Sequence, residues 1–171
     1  MNLAGFTVII GALLVGPGDE APPPVRIAVY AVQVTDEHRE EKYYDPVLRP
    51  VRRALDDLKF DTFREVRTAT LTVSLNEEAR LKLDSKFALF VKPLSREQTG
   101  HVRLDVRVEM PPKKPGQKPI KVFSTRISMA PGKPFRACGL KLQEGELVVV
   151  LSIPETAARS GRLPSLRRAL R

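Results

Sequence analysis

The side chains best suited to chemistry are few: one thiol, Cys138, and two imidazoles, His38 and His101. A Cys-His nucleophilic pair would need the thiol held against one of these rings, activated and partly exposed. The setting of Cys138, Phe135-Arg-Ala-Cys-Gly139, is apolar, which predicts a small buried residue instead. His101 opens an alternating segment on its polar side and reads as a surface histidine, while His38 sits in the charged run Asp36-Glu-His-Arg-Glu40. The acid pairs Asp56-Asp57 and Glu77-Glu78 have the character of solvated helix or turn positions, not of a general acid and base facing a cleft. Neither GxGxxG nor GxxxxGK[ST] is present, and HExxH, paired cysteines, an EF-hand loop and the G-x-S-x-G elbow are also missing. The expectation is therefore no catalytic constellation, no cofactor and no metal site. A small hydrolase stays as an alternative, because a β-domain can host many activities.

What remains is charge. The net charge is +9, and its distribution is uneven. The segment Pro111–Lys121 carries Lys113, Lys114, Lys118 and Lys121 without an acid, contributing +4, and the tail Glu155–Arg171 carries Arg159, Arg162, Arg167, Arg168 and Arg171 against Glu155, again +4. The rest of the chain is nearly balanced. These nine cations form candidate anion-binding arms for an acidic polymer or an anionic membrane surface, through contacts that salt would screen. They are equally suited to keeping a long hairpin connection soluble. In the tail, Leu163, Leu166 and Leu170 alternate with arginines in a way that suits a short basic amphipathic helix. Nothing in the pattern points to a specific nucleic acid, since aromatics are 6% of the chain and Trp is absent, leaving few platforms on which bases could stack.

The elements that position these groups are mainly strands. Of the 171 residues, 42% are hydrophobic and 29% charged, which suits a folded domain with an aliphatic core. Leu3–Val15 is an uncharged apolar run of signal-peptide length, followed by Gly16-Pro-Gly and by Pro22-Pro-Pro24. Residues 1–21 are thus expected to be a signal peptide or N-terminal anchor, 22–24 a proline-rich lead-in, 25–154 the β-rich domain and 155–171 a basic flexible tail. Export, to the periplasm or beyond the cell, follows as the expected localisation.

Val25–Val34 is apolar at both parities, as is Leu147–Leu151, and each reads as a central strand covered on both faces. Thr35–Tyr44 reads as solvated loop or frayed helical turn. Asp45-Pro46 followed by Leu48, Val51, Leu55 and Leu58 predicts an amphipathic helix over about 46–59, with Pro50 disturbing its first turn. Beyond Phe60 the period becomes two. Strands are predicted at Phe63–Ala69, Thr70–Leu75, Ala79–Leu83, Phe87–Val91, His101–Met110, Lys121–Met129, Phe135–Cys138 and Glu146–Ile153, separated by turn residues. His101–Met110 alternates most strictly, with Val102, Leu104, Val106 and Val108 inward and Arg103, Asp105 and Arg107 outward. Short strands at this spacing predict a mainly β fold: an antiparallel β-sandwich or partly closed barrel with one amphipathic helix.

The segments Phe60-Asp-Thr-Phe63, Gly100-His-Val-Arg-Leu-Asp-Val106, Pro134-Phe135, Gly139-Leu140 and Gly145 to Ile153 together resemble small exported bacterial β-rich proteins of unassigned function, over about residues 48–153. The resemblance implies an exported bacterial β-domain and no catalytic residue. The expected function is a non-enzymatic interaction or scaffold module outside the cytoplasm, with a protein partner in the cell envelope.

Overall fold

The computed structural model describes residues 22–112 and 116–155. Nine strands form two sheets: β1 (Val25–Thr35), β2 (Tyr43–Tyr44), β3 (Thr62–Val73), β4 (Ala79–Lys82), β5 (Ala88–Arg96), β6 (Val102–Met110), β7 (Ile120–Met129), β8 (Phe135–Lys141) and β9 (Glu146–Ser152). The first sheet has the order β2-β3-β1-β9-β8 and the second β4-β5-β6-β7. All pairings are antiparallel except the short parallel contact of β2 with β3. The fold is a β-sandwich and not a closed barrel, with a 3-10 helix, Pro46–Ala54, as a third layer on the outer face of the first sheet.

Periodicity explains the layers. In β1, Ile27, Val29 and Ala31 face the second sheet, where Leu89, Val91, Leu104 and Val106 meet them in one core. Val32 and Val34, at the opposite parity, meet Leu48, Val51, Leu55 and Phe63 in a second core beneath the helix. β9 divides likewise, with Leu147, Val149 and Leu151 toward the second sheet and Val148 and Val150 toward the helix. A strand covered on both faces has no wet side to alternate with, so the continuous apolar runs at β1 and β9 are what burial demands. β6 keeps the expected register: Val102, Leu104, Val106 and Val108 are buried.

Four expectations are corrected. The helix predicted at 46–59 is a 3-10 helix ending at Ala54 and passing into turns. Pro50 lacks the N–H that an α-helical bond to residue 46 would use, and its ring crowds that carbonyl, so the segment adopts the tighter form; spacing of three still buries Leu48 and Val51 together. The two strands expected at Phe63–Ala69 and Thr70–Leu75 are one strand, β3. It bends at Val66, the extra residue between the pairs Ala31/Arg67 and Val32/Glu65. Within the stretch read as loop, Tyr43 and Tyr44 pair with β3 as β2, a contact too short to leave a periodic signal.

The fourth correction concerns Cys138, which is exposed instead of buried. β8 runs to Lys141 and carries one extra residue between Ala137 and Leu140, where Cys138 and Gly139 together oppose Val148 of β9 and Gly139, at φ +91°, lets the backbone loop outward. Ala137 and Leu140 stay buried while Cys138 and Gly139 face solvent. Gly145 plays a different part, in the turn before β9. At φ +72° it lies against the Val34 backbone, and a Cβ there would stand 2.7 Å from Thr35 Cγ2.

Candidate functional site

The strongest surface feature lies along β7. Among the described residues this ten-residue strand pairs only with β6, so its other side is a free sheet edge there. Ile120 and Val122 are 43% and 41% exposed, and Lys118, Lys121 and Arg126 are exposed beside them. Val122 is an extra residue between the pairs Val108/Phe123 and Glu109/Lys121, and this bulge places two apolar side chains in water near the lysine-rich connection. Of the candidate cations, Lys118 and Lys121 fall here on the surface. Lys113, Lys114, Arg159, Arg162, Arg167, Arg168 and Arg171 lie outside the described residues, as does the expected leader.

Two open clefts adjoin the start of β7. One, about 770 Å³, is lined by Gln33, Lys86, Ile120, Leu142 and Glu144; the other, about 330 Å³, by Phe87, Phe90, Met110, Pro111 and Pro119. Phe90 also lies between two guanidinium groups, with Arg80 at 5.5 Å and Arg107 at 5.1 Å from the ring centre. Arg107 is already satisfied, donating to Glu109 at 3.0 Å and Glu78 at 2.9 Å, so its charge is spent within the domain.

A second polar cluster holds the helix layer on the sheet. Tyr44 stacks on Phe63 at 4.5 Å with an interplanar angle of 6°, and its hydroxyl donates to Asp56 at 2.7 Å. Burial and the Asp56 carboxylate push the Tyr44 phenol up to about 12. Arg136, on β8, donates to the Ala54 carbonyl and grips Asp57 with both terminal nitrogens, joining residues 79 apart in sequence. This guanidinium lowers the Asp57 pKa to about 2. Asp61 accepts from the backbone N–H groups of Glu37 at 2.9 Å and Arg39 at 2.8 Å and from the Thr62 hydroxyl at 2.7 Å. Those donors, the Glu37 N–H foremost, hold its carboxyl well below the usual carboxylate range and organise the loop after β1.

The fold therefore contains acid-labile fasteners. Both shifts are downward, so the unfolded chain binds more protons at low pH than the native state does. The stability that Asp57 contributes is present above its ordinary value of 3.8 and is lost as pH falls toward about 2. Asp57→Asn should lower the melting temperature at neutral pH and flatten its decline over that acid window. Melting curves for both proteins against pH test this, and parallel acid profiles would detach Asp57 from the effect.

The groups singled out for nucleophilic chemistry do not come together. The His38 side chain is 89% exposed, with Nδ1 3.4 Å from Asp36. His101 is half-buried and shares a hydrogen bond of 2.9 Å between Nδ1 and the Thr99 hydroxyl. Partial desolvation raises the Cys138 thiol above its ordinary value, Glu146 and Asp57 add to the rise, and Arg136 only opposes it. A thiol shifted in that direction is less nucleophilic at neutral pH. Among the described residues, no three His, Cys, Asp or Glu side chains gather as a metal cluster, and no helix is long and apolar enough to cross a membrane.

Comparison with protein families, curated proteins and solved structures finds no match. The reading of function rests on the surface chemistry described above. The open edge of β7 was not legible in sequence, because which strand ends a sheet depends on long-range pairing. The exposed pair Ile120 and Val122 was the available signal: alternation in Lys121–Met129 assigns them no buried partner.

Proposed function

We propose that this protein is a non-enzymatic interaction or scaffold module acting outside the cytoplasm, and that β7 receives an extended, acidic and apolar segment of a protein partner in the cell envelope. The observation that carries the reading is the free edge of β7 with exposed Ile120 and Val122 beside Lys118, Lys121 and Arg126. An added strand would take main-chain hydrogen bonds from the edge, cover the two apolar side chains and set carboxylates against the cations. The apolar run Leu3–Val15 and the resemblance to small exported bacterial β-rich proteins support the location.

A second reading is binding of an anionic polymer or membrane surface through the basic arms, favoured by the exposure of Lys118 and Lys121. The two readings separate in one set of measurements on the full chain. Ile120→Asp with Val122→Asp should cut recovery of a specific envelope protein by about tenfold or more, as expected when anchor side chains at an interface are lost. Deleting Glu155–Arg171 should leave that recovery, and the melting temperature to within a few degrees, unchanged. Salt-sensitive binding to acidic vesicles or a heparin-like polymer that the tail deletion abolishes, with no loss in the β7 variant, would favour the second reading. Capture unchanged in the β7 variant would overturn the first.

A further inference from the structure

We propose that the protein pairs with a second copy of itself along the free edge of β3, on the side of the first sheet remote from β8. This inference is independent of the role given to β7. Besides the two-residue β2, four strands end or border sheets among the described residues, and three carry features that discourage pairing with a second copy of the same edge. β4 is four residues long and exposes Arg80 and Lys82. β7 bears exposed Lys121 and Arg126, which would meet the like charges of a second copy, whereas an acidic segment would complement them. β8 is broken by the bulge at Cys138 and Gly139 and bears Arg136 and Lys141. Among the described residues, β3 is closed only at its start, where β2 pairs with it and Asp45 accepts the Glu65 N–H at 2.7 Å.

Beyond the Val66 bulge, β3 runs regularly from Arg67 to Val73 against β1, and among the described residues no strand lies on its other side. Thr68-Ala-Thr-Leu-Thr-Val73 contains no charge, proline or glycine and is rich in β-branched residues, the composition that favours pairing along an edge.

The same segment is self-complementary. An antiparallel pair with its two-fold axis at Thr70 sets Thr68 opposite Thr72, Ala69 opposite Leu71 and Arg67 opposite Val73 of the second copy. Cross-strand threonine pairs of this kind stabilise a ladder, and no like charges face each other. The contact is isologous and joins the two five-stranded sheets into one.

The test is sedimentation equilibrium of the full chain, with circular dichroism to confirm that each variant is folded. The wild type should be a dimer in the micromolar range. Thr70→Lys, which opposes two ammonium groups across the axis, should weaken the dimer by roughly five- to tenfold, as should Thr70→Glu. Mixing the two variants should restore dimers, since the mixed pair opposes unlike charges. A wild type that remains monomeric, or a dimer indifferent to these substitutions, would overturn the proposal. A monomer that becomes dimeric only when residues 1–21 are removed would also overturn it, by showing that the chain's own leading segment takes the edge.

Discussion

Phe63→Ala is expected to destabilise the domain by about 3–5 kcal/mol, the range for deleting a large aromatic side chain from a packed core. Phe63 has no exposed surface and is the largest fully buried side chain among the described residues. It sits where β3 passes beneath the 3-10 helix, stacked on Tyr44 and packed with Val34, Leu48, Val51 and Leu55. The helix layer is thin, so few other groups can close around the void. Without the ring, Tyr44 loses its stacking partner and Lys42 a ring 5.7 Å from its ammonium. Phe63→Leu, which keeps most of the volume, should recover most of the loss. Urea denaturation measures both variants, and a cost below about 1 kcal/mol for Phe63→Ala would mean that the helix layer adds little to the fold.

Leu104→Ala should cost about 2–5 kcal/mol. Leu104 is fully buried on β6 and lies in the core shared by Ile27, Val29, Val149 and Leu151 from the opposite sheet. Its strand is flanked on both sides by β5 and β7, so the backbone has little freedom to collapse into the space left by the side chain. The neighbouring Arg103→Ala, on the exposed parity, should stay within about 0.5 kcal/mol of the parent. Chemical denaturation of the pair tests the register of the whole second sheet. Similar losses at both positions would contradict it.

The central strands were legible because the information is local. A strand with both faces covered must be apolar at both parities, as Val25–Val34 and Leu147–Leu151 are, and a strand with one wet face must alternate, as Val102–Met110 does. The amphipathic character of residues 46–54 was legible on the same ground, whereas its helix type turned on Pro50, whose effect on hydrogen bonding outweighs a spacing compatible with either helix.

Of the candidate site, the cationic composition was legible and its partners were not. Lys118 and Lys121 could be placed on a connection from proline and lysine content alone, but their standing beside the exposed Ile120 and Val122 depends on β7 closing one side of its sheet. Cys138 was misjudged because its neighbours in sequence are apolar, while its exposure is decided by a bulge on an edge strand.

The sequence by itself determined most of the strands, the faces they bury and a mainly β fold that could be a sandwich or a partly closed barrel, because side-chain periodicity and turn chemistry act over a few residues. Only the tertiary structure decided which strands form edges, which edge carries no deterrent to pairing with its own copy, and that Arg136 meets Asp57 across 79 residues. Those outcomes follow from pairings between distant segments, whose order in a sheet depends on the summed burial of all the strands and leaves no mark at any single position.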